Sequence, residues 1–179
     1  RHALAREELY LHYPPIVSLS TGRVVGMESL LRWQHPKLGT INPGTFVPLA
    51  EETGQIVPIG EWAMKESCIQ AKLLSDQMGV DLSISVNLSP RQFEQSTLLD
   101  VIDEALHTSG LKPSQLQIEL TENTLMINSA SNLEKLQRIR EMGARVAIDD
   151  FGTGFCSYSY LLQYPVDLLK IDQSFIAKA

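Results

Sequence analysis

Three observations predict an α/β barrel. From residue 82 to 171, short apolar runs alternate with longer helical patterns, in the order strand, helix, strand, helix, strand, short helix, strand. That alternation builds parallel strands joined by helical crossovers. Two of the strands carry polar residues on one face, Ser83, Ser85 and Asn87 in one and Gln117, Glu119 and Thr121 in the other. A parallel strand in an open doubly wound sheet is covered on both faces and reads apolar throughout; a barrel lumen that opens on a site accommodates the polar positions. Oxygen-bearing side chains also collect at the C-terminal ends of these strands, the face on which α/β barrels build their sites. A complete barrel needs about 250 residues and eight strands. Only about six strands are legible here, so the expectation is a TIM-like (β/α)8 barrel, incomplete in this chain by roughly two units. The doubly wound sheet is the architectural alternative.

The elements follow in order. Leu9 to Leu19 and Val24 to Trp33 read as two strands, joined by the turn-like Ser20-Thr21-Gly22-Arg23 into a hairpin. Phe46 to Thr53 reads as a short helix ended by Gly54. Glu61 to Met78 reads as a longer helix with Trp62, Cys68, Ile69 and Leu73 at near-helical spacing and Gly79 as its stop. Leu82 to Leu88 alternates strictly and is a strand; Leu98 to Thr108 is a helix closed near Gly110. Leu116 to Thr121 alternates again. Leu133, Leu136, Ile139 and Met142 mark a helix from about Ser129, with Gly143 at its C-terminal cap. Arg145 to Ile148 and Leu168 to Ile171 are the last strands.

Composition narrows the class. The 179 residues are 44% hydrophobic and 20% charged, which excludes a disordered tail, a collagen-like repeat and a disulfide miniprotein. The net charge of −6 leaves no basic surplus to hold duplex DNA or RNA. The two cysteines, Cys68 and Cys156, lie in no ligand-type spacing, which excludes a thiolate zinc site. No apolar run approaches the roughly 20 residues of a membrane helix, and the charged start from Arg1 to Glu8 is no signal peptide. No linker divides the sequence. The expectation is one soluble domain over residues 1–179, located in the cytoplasm.

Glu28 lies in the strand Val24 to Trp33, and Asn87, Glu119, Asp149, Asp150, Lys170 and Asp172 fall late in strands or directly after them. Carboxylates and an amide, without His or Cys, make a hard-oxygen set suited to Mg²⁺ or Mn²⁺. Two such ions could clamp a phosphodiester and ionise a water for in-line attack, with Lys170 neutralising charge on the phosphoryl oxygens or orienting the water. Taken singly, each residue has an ordinary structural reading. A lone Glu in a strand is usually solvated, an Asp-Asp pair after a strand is more often a turn or cap, and Gly152-Thr153-Gly154 is a short loop that resembles no P-loop. His35 and His107 read as structural or exposed.

The runs Gly26-Met27-Glu28-Ser29-Leu30-Leu31-Arg32-Trp33-Gln34-His35-Pro36, Phe46-Val47-Pro48-Leu49-Ala50-Glu51, Asn87-Leu88-Ser89, Glu119-Leu120-Thr121-Glu122, Asp149-Asp150-Phe151-Gly152-Thr153-Gly154 and Leu169-Lys170-Ile171-Asp172-Gln173-Ser174-Phe175 resemble, in order, the motifs of EAL-type cyclic-di-GMP phosphodiesterase domains. The resemblance runs from near residue 8 to the end. It implies a TIM-like barrel with an antiparallel first strand, and metal-dependent hydrolysis of cyclic-di-GMP to linear pGpG with Mg²⁺ or Mn²⁺, two ions per site. By motif match, Glu28, Asn87, Glu119 and Asp149 are metal ligands. Asp150 serves the second metal and the water, and Lys170 is the catalytic lysine beside Glu28 and Asp150. Arg32 holds a substrate phosphate, with Leu30 and Asp172 as further substrate contacts. Glu122 steadies the loop after Asp150, which the family links to dimerisation. A homodimer and an upstream diguanylate cyclase-like or sensor domain are therefore expected partners. So is a parent protein that supplies the family's seventh and eighth strands.

The chain departs from the family pattern in three places. Ser29 replaces the central alanine, Pro14 replaces a glutamine that touches substrate, and Phe155-Cys156-Ser157-Tyr158 replaces Tyr-Ser-Ser-Leu. Proline cannot supply the lost amide. The alternative function is therefore a degenerate domain that acts as a cyclic-di-GMP receptor or dimerising scaffold without hydrolysis.

Overall fold

The computed structural model describes residues 3–126, 129–152 and 164–176. Its centre is a single sheet of eight strands: β1 (Leu9–His12), β2 (Pro15–Val17), β3 (Val24–His35), β4 (Gly39–Ile41), β5 (Ser83–Asn87), β6 (Leu116–Thr121), β7 (Arg145–Phe151) and β8 (Leu168–Ile171). The path runs β1-β3-β5-β6-β7-β8, with β2 and β4 also paired to β3. From β3 onward the successive strands of this path are parallel, while β1, β2 and β4 run antiparallel to β3. The sheet is a TIM-like barrel left open between β1 and β8. The antiparallel start is present, and so is the incomplete closure.

The helices are α1 (Pro43–Glu52), α2 (Ile56–Met78), α3 (Pro90–Phe93), α4 (Leu98–Ser109), α5 (Glu122–Met126), α6 (Ser129–Glu141) and α7 (Gln173–Ile176). The two faces of the sheet carry different chemistry because side chains alternate along each strand. Ile84, Val86, Leu116, Ile118, Leu120, Val146 and Ile148 point outward and are buried in one core with Met64, Cys68 and Ala71 of α2, Ile102 and Ala105 of α4, and Leu136 and Ile139 of α6. A smaller second core holds Leu9, Phe46, Ala50, Ile56 and Ile59, where β1 and α1 meet the start of α2. The inward face keeps the polar set, and Ser85, Gln117 and Glu119 are buried there.

Several boundaries differ from the sequence expectation. The stretch Leu9 to Leu19 is not one strand. It breaks at Tyr13-Pro14 because proline has no N–H for the ladder, yet the Pro14 carbonyl accepts a hydrogen bond from the Glu28 backbone N–H at 3.1 Å. Helix α2 starts five residues early, since Pro58 sits in its first turn, where proline is tolerated. Its buried stripe is Met64, Ser67, Cys68, Ala71 and Ser75, whereas Ile69 and Leu73, also at near-helical spacing, are 38% and 48% exposed. Small residues on the inner stripe let α2 lie close to the sheet. Helix α1 begins earlier as well, where the Asn42 side chain accepts from the Gly44 N–H at 2.9 Å. Strand β7 runs on to Phe151 rather than ending at Ile148. The elements β4, α3, α5 and α7 are too short to leave a periodic signal.

Cys68 is free and fully buried, and burial pushes its thiol up to about 12. Thr153, Gly154 and the Phe155-Cys156-Ser157-Tyr158 departure lie outside the described residues. No helix among the described residues is long and apolar enough to cross a membrane.

Ser29 faces α2 and is 6% exposed, and its hydroxyl is hydrogen-bonded to Ser67 at 2.6 Å. The polar departure in the first motif is thus matched by a polar partner. Ser67→Ala is expected to cost about 1–3 kcal/mol, because it leaves the Ser29 hydroxyl in an apolar layer. Ser29→Ala in that background is expected to recover most of the loss. Urea-unfolding midpoints of the two single variants and the double variant check both outcomes.

Candidate active site

Register sets which side chains meet. Across the parallel ladders Glu28 stands beside Ser85, Ser85 beside Gln117, and Asn87 beside Glu119, while Thr121 stands beside Asp149. Residues paired across a ladder share a face, so these rows point into the lumen near the C-terminal ends of the strands. One carboxylate oxygen each from Glu28, Glu119 and Asp149 lie within 4.8 Å of one another. Lys170, from β8, reaches all three: its Nζ is 2.5 Å from Glu119 Oε2, 3.1 Å from Asp149 Oδ2 and 3.4 Å from Glu28 Oε1. Asn87 Nδ2 donates to Glu28 Oε1 at 3.0 Å. Five strands, with residues up to 142 positions apart in sequence, thereby converge on one point.

Glu119 is 1% exposed, and both its oxygens are engaged. Gln117 Nε2 donates to Glu119 Oε1 and to Ser85 Oγ, both at 2.9 Å. Gln117 and Ser85 are the residues that motif reasoning missed. Their signal was the polar alternation itself, two positions back on the same faces as Glu119 and Asn87. Burial pushes the Glu119 carboxyl above the usual carboxylate range, against the hydrogen bond and charge of Lys170. Burial lowers the Lys170 ammonium, but the hydrogen bond and charge of Glu119, with Glu28 and Asp149, outweigh it and hold the group above its ordinary value.

Asp149 and Asp150 would face opposite sides of a regular strand. The strand is not regular there: Asp150 adopts φ +53° and the β7–β8 register shifts between Ile148 and Phe151. Aspartate is among the few residues that tolerate this left-handed conformation. The kink is closed by a hydrogen bond from the Asp150 N–H to Asp149 Oδ1 at 3.0 Å. Burial and then the charges of Asp149 and Asp172 raise the Asp150 carboxyl, so Asp150 belongs to the same electrostatic cluster. The turn expected for an Asp-Asp pair is real, but it sits inside the strand.

The other predicted residues lie around this centre. Leu30 and Arg32 share with Asn87 a cavity of about 190 Å³. Arg32 Nη1 donates to the Leu31 carbonyl at 2.9 Å. Asp172 caps α7, accepting from the Ser174 N–H at 2.9 Å, and hydrogen bonds from Ser174 hold its carboxyl below the usual range. Glu122 opens α5 directly after β6 and is buried. The lumen below Glu28, Glu119 and Lys170 is a cavity of about 500 Å³. His35 is structural: its Nδ1 accepts from the N–H groups of Lys37 and Leu38. As a donor set, the carboxylates fit a hard divalent cation of the Mg²⁺ or Mn²⁺ class, with Asn87 in reach as a neutral oxygen ligand.

The family model for the EAL domain matches residues 1–179. The chain belongs to the EAL family. This EAL domain is 47% identical over 176 residues to the bifunctional diguanylate cyclase/cyclic di-GMP phosphodiesterase MucR of Pseudomonas aeruginosa, covering 98% of this chain and 26% of that protein. It is 45% identical over 177 residues to the uncharacterised protein y4lL of Sinorhizobium fredii, covering 99% of this chain and 21% of that protein. The chain therefore spans about a fifth to a quarter of these curated relatives. Among solved structures, the MucR phosphodiesterase in complex with c-di-GMP superposes with a TM-score of 0.94 at 47% identity, over 99% of this chain and 72% of that one. The EAL enzyme Bd1971, with cAMP and cyclic-di-GMP bound, gives 0.93 at 33% identity, over 99% of this chain and 49% of that one.

The sign of one pH effect follows from the Glu119–Lys170 pair. A carboxyl raised by burial binds protons more tightly when folded, so its ionisation lowers stability as pH rises. Lys170 offsets that loss. Lys170→Met is therefore expected to cost about 3 kcal/mol at pH 7. The defect should shrink as pH falls into the raised range of Glu119, where the carboxyl is neutral with or without Lys170. Urea-unfolding curves of both proteins from pH 7 to pH 5 test this; a defect that stays constant would refute the coupling.

Proposed function

We propose that this EAL domain hydrolyses cyclic-di-GMP to linear pGpG, with Mg²⁺ or Mn²⁺ held by Glu28, Asn87, Glu119, Asp149 and Asp150. The observation that carries the reading is the convergence of three carboxylates and one ammonium at the C-terminal ends of four strands. The cations supply Lewis acidity and a nucleophilic water of lowered pKa. The chain's own residues do the rest. Glu119 is pre-oriented by Gln117 and Lys170, so little reorganisation is needed at the reacting centre. Lys170, charged throughout the physiological range, stabilises negative charge developing on the phosphoryl oxygens. Asp150, at the kink, is the carboxylate proposed for the other cation and the water. Arg32 suits a phosphate through its planar guanidinium, with Leu30 and Asp172 as further contacts and Glu122 supporting the loop after Asp150.

In this reading residues 1–179 form one domain of a larger, cytoplasmic and dimeric signalling protein, with a diguanylate cyclase-like or sensor domain upstream. The relatives named above, several times longer than the chain, support the larger parent, and the bifunctional name of MucR supports the cyclase-like domain.

One observation favours a second reading, a receptor that binds without cleaving. Pro14 keeps the backbone hydrogen bond to Glu28 but offers no side-chain amide to a ligand. Turnover separates the two. With Mg²⁺ or Mn²⁺, the domain is expected to release linear pGpG from cyclic-di-GMP, detected by chromatography. Glu28→Ala should give none, and Lys170→Met should lower kcat by about 10²–10³. Binding of cyclic-di-GMP with no product from the unaltered protein would overturn hydrolysis and leave the receptor.

A further inference from the structure

Helix α2 packs behind both Glu28 and Asn87, in each case through a small residue: on strand β3 for the first and on helix α3, just past β5, for the second. Behind Glu28, Ser67 is hydrogen-bonded to Ser29. Behind Asn87, the contact is between Gly60 of α2 and Gln92 of α3. A Cβ built on Gly60 would stand 1.7 Å from Gln92 Nε2 and 2.5 Å from its Cδ, so any larger residue would displace the Gln92 side chain. Gln92 is 7% exposed, and its Oε1 accepts from the Ser89 N–H at 3.2 Å and the Ser89 hydroxyl at 2.9 Å. Ser89 Oγ accepts in return from the Gln92 N–H at 3.3 Å. This reciprocal capping box turns the chain two residues after Asn87. The intervening Leu88 is held by its N–H to the Glu119 carbonyl at 2.9 Å. Gly60 and Gln92 also line the cavity that holds Leu30, Arg32 and Asn87.

We propose that Gln92, seated on Gly60, is a positioning residue for Asn87. It locks the exit of β5 against α2, and α2 is tied to β3 through Ser67 and Ser29. The ladder sets the separation of the two strands, and the fixed exit of β5 keeps its last residue, Asn87, where Nδ2 meets Glu28 Oε1. With Nδ2 committed to Glu28, the Asn87 Oδ1 is the atom left to ligate a cation. The inference rests on the reading of Asn87 as a metal ligand and adds the residue that places it.

The test is calorimetric titration of Mn²⁺ alone into the 179-residue chain and its variants, with urea-unfolding midpoints measured alongside. Asn87→Ala establishes the ligand. Gln92→Ala is expected to weaken Mn²⁺ binding about tenfold, the scale of losing a ligand-orienting partner. Gln92→Glu keeps the acceptor oxygen for Ser89 and should restore most of the affinity, which a merely structural loss would not predict. Gly60→Ala puts a better helix former into α2 but drives Gln92 off its seat, so it should weaken binding to the same degree. It should add nothing in the Gln92→Ala background, and it carries the test alone if Gln92→Ala does not fold. Unchanged affinity in Gln92→Ala or Gly60→Ala, beside a weakened Asn87→Ala, overturns the positioning role and leaves the ligand set standing. A loss that Gln92→Glu does not rescue also overturns it. Wild-type affinity in Asn87→Ala, or no Mn²⁺ binding by the unaltered chain, overturns the ligand reading and the positioning role with it.

Discussion

The site depends on charge balance around a buried carboxylate. Glu119 sits in the lumen with almost no access to solvent, and Glu28 and Asp149 add like charge within a few ångströms. An uncompensated cluster of that kind would push the strands apart or force protonation. Lys170 answers it, and Gln117 holds the other Glu119 oxygen. Because Lys170 comes from β8, the last strand of the parallel run, the charge is balanced only once the whole sheet has assembled. The functional centre therefore also couples the two ends of the parallel run, β3 and β8.

The second constraint is the division of labour between the faces. Outward positions are almost uniformly Ile, Val and Leu, packed under α2, α4 and α6. That core anchors the backbone, so the inward positions are free to carry groups that would otherwise be costly to bury. Where an outward position is polar, as at Ser29, a partner on α2 satisfies it. Helix α2 lies against the sheet on Ser67, Cys68 and Ala71, with Gly60 against Gln92 of α3.

Much of this was legible in the sequence, for physical reasons. The strands Leu82 to Leu88 and Leu116 to Thr121 alternate with period two, and the structure places β5 and β6 within a residue of those bounds or on them. Glycines at helix ends gave the stops of α2 and α4, both in left-handed conformation. What was missed has equally physical causes. Short elements such as β4 and α3 have no periodicity to detect. Pro58 and Gly60 disguised the start of α2. Ile69 and Leu73 lie at helical spacing yet stay partly exposed, because apolar spacing reports amphipathicity, not which stripe a neighbour covers.

By itself, the sequence determined the alternation of strands and helices, the polar face of the lumen and the six motifs that mark an EAL domain. All of these are local patterns of residue type, which chain order preserves. Only the tertiary structure decided which oxygens meet. Parallel register brought Glu28, Glu119 and Asp149 to within 4.8 Å of one another. A left-handed kink took Asp150 off the regular strand beside Asp149, and a capping box between Ser89 and Gln92 made the turn after Asn87. The carboxylate distances join segments far apart in the chain. They depend on ladder register and helix packing, which no local pattern specifies.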